Sequence, residues 1–138
     1  MGFDARYFID GAGHFVLAFG VACVLLAVFK RVYQWSTPYD ERALLAAGNN
    51  AAAAALGGAI VGFALPLASA LTVTADPVEF LAWAVLAGVV QVVAAFVIRR
   101  FVVRDLTRRI EEGNVATGLY AGATSIAVGL INAASMTY

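Results

Sequence analysis

Few side chains in this sequence could do chemistry. The one histidine, His14, lies near the start of an apolar run, and the one cysteine, Cys23, lies inside it. A histidine base needs a nucleophile or carboxylate within hydrogen-bond reach, and no Ser, Cys or carboxylate pattern supplies one. His14 reads as a polar residue at a membrane interface and Cys23 as a small hydrophobe. A lone cysteine forms neither an intrachain disulfide framework nor a cysteine metal motif. No catalytic residue, metal site or cofactor is expected, and the chain reads as non-enzymatic.

The remaining polar groups are amides and hydroxyls set among apolar residues. Gly48-Asn49 and Gly113-Asn114 stand where a polar stretch enters an apolar one. There an Asn can cap the next helix while Gly permits the bend, and two such amides could also line a shared mouth. Pro66 sits mid-run and predicts a kink, since it removes one backbone hydrogen bond. Gln91, Ser125 and Asn132 are polar at depth and read as glue between helices, with a polar path as the sharper alternative.

These groups need elements to hold them, and the composition says which. Of the 138 residues, 62% are hydrophobic and 13% charged, against about 45–50% and 25% in globular domains. A domain this short cannot hide so much apolar surface from water. Lipid removes the difficulty. Four stretches have the length of about 17–25 residues that spans hydrocarbon: Gly11 to Phe29, Ala43 to Ala75 with its most apolar part from Ala51 to Val73, Phe80 to Ile98, and Val115 to Met136. None contains Asp, Glu, Lys or Arg, which argues against an exchanger built on a buried carboxylate. The mixed charges Asp4, Arg6 and Asp10 do not resemble a cleaved leader. Asp76-Pro77-Val78-Glu79 predicts a capped helix start, with Glu79 able to reach back to the cap. Thr37-Pro38-Tyr39-Asp40 predicts a second start, before a short polar helix running towards Ala47.

Lys30, Arg31 and Arg42 lie between the first two spans, and Arg99, Arg100, Arg104, Arg108 and Arg109 between the last two. Only Arg6 falls elsewhere. Basic loops face the cytoplasm, which places both termini and the Asp76 turn outside. Trp35, Tyr33, Tyr39, Trp83 and Tyr138 near span ends agree with this. The segment from Arg99 to Glu112 has Val102, Val103, Leu106 and Ile110 at helical spacing. It reads equally as an amphipathic segment on anionic headgroups or as a loop that fixes orientation. Acidic residues interrupt its basic patch, so nucleic acid is not an expected partner.

Shifting the chain by 65 positions lays Phe15 on Phe80, Asp40 on Asp105, Gly48-Asn49 on Gly113-Asn114, and Gly57 on Gly122. The expected fold is all-α: four membrane helices in one domain, a tandem parallel duplication of a two-helix unit, with repeats at about 11–75 and 76–138. Gly58 with Gly62 and Gly118 with Gly122 form GxxxG pairs, and the second maps onto Ala53 and Gly57 in register. Small residues let backbones approach where hydrophobicity cannot drive pairing. The second and fourth spans are therefore expected at the packed centre, with the bulkier first and third facing lipid or a partner.

Thr37-Pro38-Tyr39-Asp40-Glu41, Gly48-Asn49 and the run from Gly62 to Ala70 resemble the YjfL-like bacterial inner-membrane proteins, or domain of unknown function 350. Glu112-Gly113-Asn114 and the closing run from Asn132 to Tyr138 agree, so the likeness covers nearly the whole chain. Ser135 departs from it, standing where a small residue, often Cys, is expected. The resemblance implies a duplicated inner-membrane protein without an established activity, encoded beside ATP-grasp ligases, channel-like proteins and stress-response components. The expected role is a homo-oligomeric, non-enzymatic component in the lipid bilayer, linked to envelope stress or membrane maintenance. A cytoplasmic protein partner fits the basic loops. The alternative is an oligomeric channel or facilitator for a small solute or ion, lined by Asn49, Asn114, Pro66, Gln91 and Asn132.

Overall fold

The computed structural model describes residues 2–137, so Tyr138 lies outside the described residues. The elements are α1 (Ala5–Ser36), α2 (Glu41–Ala46), α3 (Asn50–Val73), α4 (Pro77–Val97) with a π-helical turn (Ile98–Val102), α5 (Leu106–Glu111) and α6 (Val115–Ala134). No strand occurs among the described residues. The four long helices, α1, α3, α4 with its π turn, and α6, are long and apolar enough to cross a membrane. The chain is an all-helical membrane protein.

Local chemistry sets the helix ends. Asp76 accepts from the Val78 and Glu79 amides at 2.6 and 3.2 Å, with Pro77 in the first turn. Glu79 does not reach back to the cap; its carboxylate accepts from the Trp83 indole at 3.4 Å, one turn further on. Asn49 accepts from the Ala52 amide at 2.9 Å and Asn114 from the Thr117 amide at 3.1 Å. Before each Asn, a glycine takes the left-handed conformation, φ 79° at Gly48 and 80° at Gly113. A side chain there would be strained. The bonds of the two turns also match. Gly48 and Asn49 donate to Leu45 and Leu44, as Gly113 and Asn114 donate to Ile110 and Arg109.

α1 outruns the apolar stretch at both ends. Its 32 residues make a rod of about 48 Å, longer than a hydrocarbon core of about 30 Å. The excess carries Lys30 and Arg31 beyond that core, with the Arg31 guanidinium 5.6 Å above the Trp35 ring. α3 runs through Pro66 as one continuous helix. The proline frees the carbonyl four residues back, that of Gly62. That oxygen lies directly against Gly129 of α6.

α3 and α6 form the main interface. Gly118 sits on the Ala51 backbone, Gly122 on Ala54 and Gly58, and Gly129 on Gly62. A methyl on Gly62 would lie 2.5 Å from the Ser125 carbonyl oxygen. The second and fourth spans thus pack backbone to backbone, on a face that differs from the register-derived one. Ala53 and Gly57 are exposed, and Gly57 has open space around it. α3 turns Gly58 and Gly62 inward, so mapping Gly118 and Gly122 back by 65 residues selects the wrong side of α3. α4 also differs from a lipid-facing helix. Phe80, Ala84, Ala87, Gln91 and Ala95 put one face in the core. α1 buries only Phe29 and Tyr33. Phe29 stacks on Phe63 with centroids 4.3 Å apart, a contact worth about 0.5–1.5 kcal/mol beyond its buried area.

Candidate functional site

The last turns of α1 and the connections between α1 and α3 and between α4 and α6 together hold eight of the nine basic residues, and we call their shared side the basic end. There α1 closes on Tyr33: the Thr37 amide and the Ser36 hydroxyl both donate to its carbonyl, at 3.1 and 2.7 Å. Pro38 turns the chain. Asp40 faces out and caps α2 by accepting from the Ala43 amide at 3.2 Å. Glu41 follows it, faces in, and is only 3% exposed.

Both carboxylate oxygens of Glu41 are buried with no hydrogen-bond partner among the described residues. Tyr33, Tyr39 and Thr37 around it are buried as well. Thr37 spends its hydroxyl proton on the Gln34 carbonyl, at 2.8 Å. The nearby Arg99 guanidinium donates instead to the Ser36 carbonyl at 3.1 Å, tying the π turn to the end of α1. Burial pushes the Glu41 carboxyl up to about 7, against weaker opposing pulls from Gln34, Arg99 and Lys30. Burial, with the neighbouring Tyr33 and Glu41, also pushes the Tyr39 hydroxyl up. A cavity of about 10 Å³ touches Tyr33, Tyr39, Arg99 and Ser125, room for about one water.

Deeper in the bundle the polar groups bind helices together. Gln91, 4% exposed, donates to the Ser125 carbonyl at 3.2 Å, and its amide oxygen has no partner among the described residues. Asn132 donates to the Ala87 carbonyl at 3.2 Å and Ser69 to the Ala133 carbonyl at 3.0 Å. Pro66 is fully buried in the same core.

The two interfacial amides are unequal. Asn49 both caps α3 and donates to the Ile110 carbonyl at 2.7 Å, whereas Asn114 is exposed and makes only its capping bond. Losing a cap costs about 1 kcal/mol, and a further partly buried bond about as much again. Asn49→Ala is therefore expected to lower the thermal unfolding midpoint about twice as far as Asn114→Ala. Equal shifts would remove the role given to the Ile110 bond.

The basic side chains also divide. Arg99 turns inward, Arg100 lies 5.6 Å over the Phe101 ring, and Arg108 pairs with Asp105 at 3.5 Å. Arg104 and Arg109 line an open polar pocket with Asn114, Thr117 and Tyr120.

Glu41 is the group that inspection of the spans does not single out, because an acid in a polar connection reads as solvated. One signal for it exists. In the 65-residue register Glu41 falls on Leu106, and Leu106 is likewise buried, at 3% exposure. An acid aligned with a core leucine marks an inward-facing position.

Comparison with known proteins places these features in a family. The model of the Domain of Unknown Function (DUF350) matches residues 7–136. The chain is 31% identical over 138 residues to the UPF0719 inner membrane protein YjfL of Escherichia coli strain K12. That alignment covers 100% of this chain and 95% of the relative. The protein of the same name from Escherichia coli O157:H7 matches equally. No solved structure matches the chain. A family match over almost every residue, on four apolar helices, makes this chain a multi-pass membrane protein belonging to the DUF350 family.

Proposed function

We propose that the chain is a non-enzymatic component of the bacterial inner membrane, working as a homo-oligomer and engaging a cytoplasmic protein through its basic end. On this reading the two halves are a parallel duplication, the basic end faces the cytoplasm, and both termini face outward. The matching glycine turns, 65 residues apart, support the duplication. The one-sided Lys and Arg distribution supports the orientation. The likeness to relatives named as inner membrane proteins supports the inner membrane. A place in envelope stress or membrane maintenance belongs to the same proposal.

The observation that favours a scaffold over a channel is the closed centre of the bundle. α3 and α6 meet through Gly58, Gly62, Gly118, Gly122 and Gly129 with no gap for a Cβ. The cavity against Tyr33, Tyr39 and Arg99 has room for about one water. Neither leaves space for a substrate within one chain, which also weighs against an enzyme. Vesicles of bacterial lipid holding the purified protein are expected to leak ions and small solutes no faster than empty ones. Flux that vanished in Asn49→Leu and Asn132→Leu would replace the scaffold with a channel.

A further inference from the structure

Glu41 is an acid at a buried position that packing alone does not require to be acidic. Its register counterpart Leu106 fills a buried place of the same kind with an apolar side chain. An anion enclosed without hydrogen bonds is costly, and chains retain buried ionisable groups where they have a use. The charged and titratable groups around it offer no settled partner. From α1 come Lys30, which is exposed, and Tyr33; from the connection, Tyr39; from the π turn, Arg99, already bonded to Ser36. On its own segment Asp40 and Arg42 face outward, and α5 brings its buried Leu106 and Ile110 to the same end.

We propose that Glu41 is a proton-binding site: the neutral acid lets α2 pack against the end of α1, and loss of the proton, which leaves an unpartnered buried anion, loosens that latch. Deprotonation sends the proton to water. The new carboxylate then draws the Arg99 guanidinium away from the Ser36 carbonyl, the bond that ties the π turn to α1. A metal ion fits the site poorly, because Arg99 and Lys30 already bring positive charge towards the acid. A proton needs no cage of ligands. The upward pull of burial on this carboxyl agrees with the geometry. The site stands whichever side of the membrane the basic end occupies.

Two measurements on the whole chain in lipid nanodiscs test this. Infrared difference spectra between about pH 5 and about pH 8.5 should show a protonated-carboxyl band that titrates near neutrality. The isosteric Glu41→Gln protein should lack that band. The second uses Leu44→Cys, a partly buried position of α2, in a Cys23→Ala background, with a water-soluble thiol reagent. Labelling rates, divided at each pH by those of the denatured protein to remove the thiol's own ionisation, should rise severalfold over the same range, and should stay low and flat when Glu41→Gln is added. A band that survives Glu41→Gln, or an acid already ionised at the low end, overturns the proton site. A titrating acid with unchanged labelling overturns the latch.

Discussion

Gly58→Leu is expected to yield no monodisperse protein, while Gly57→Leu, one residue earlier, is expected to purify and unfold like the wild type. At Gly58 even a methyl would run into the backbone of Gly122, which cannot withdraw without separating α3 from α6 along their length. Overpacking a tight core costs about 1–3 kcal/mol where side chains can adjust, and more where only backbone can yield. Helix association in lipid rests on this contact, because apolar burial does not distinguish a neighbouring helix from a lipid tail. Gly57 faces open space on the other side of the same turn, so leucine there meets lipid. Size-exclusion profiles and thermal unfolding in detergent read both variants. Equal tolerance of the two would mean that α3 and α6 do not pack through this seam.

The second large effect is a gain. Glu41→Leu is expected to stabilise the protein at about pH 8 by up to roughly 3 kcal/mol. The carboxyl is held at about 7 in the folded protein against an ordinary value of 4.5. A raised carboxyl constant means that the folded state binds the proton more tightly than the unfolded state. Wild-type stability from this group is therefore fully present below pH 4.5 and is lost as pH rises through about 7. Leucine has no titrating group and abolishes that slope. Thermal unfolding across this pH range checks both points. A wild type whose stability rises with pH, or a destabilised Glu41→Leu, would contradict them.

What could be read from the sequence divides along the range of the forces involved. The four spans and their caps depend on neighbours a few residues away, so hydropathy and the Asp, Asn, Pro and Gly signals expose them. Asp76, Asn49 and Asn114 all cap as their types and positions suggest. The inward face of α3 was not legible in the same way. A helix of Ala, Gly and Leu is apolar all round, and only the partner decides that Gly58 rather than Gly57 meets it. Asn49 shows an intermediate case: its cap is local, but its bond to Ile110 joins segments 61 residues apart. Glu41 is the extreme case. Around it stand Tyr33 and Tyr39 from nearby segments and Arg99 from the π turn, which is far away in the sequence.

The fold is a bundle of four membrane helices whose two polar connections meet at one end. Single cysteines at Ala46, Asp76 and Glu112, each in a Cys23→Ala background, test it in intact cells with a membrane-impermeant thiol reagent. Ala46→Cys and Glu112→Cys should be shielded together and react only after the membrane is opened, while Asp76→Cys reacts from outside. Labelling of Ala46→Cys and Glu112→Cys from opposite sides would contradict the fold described.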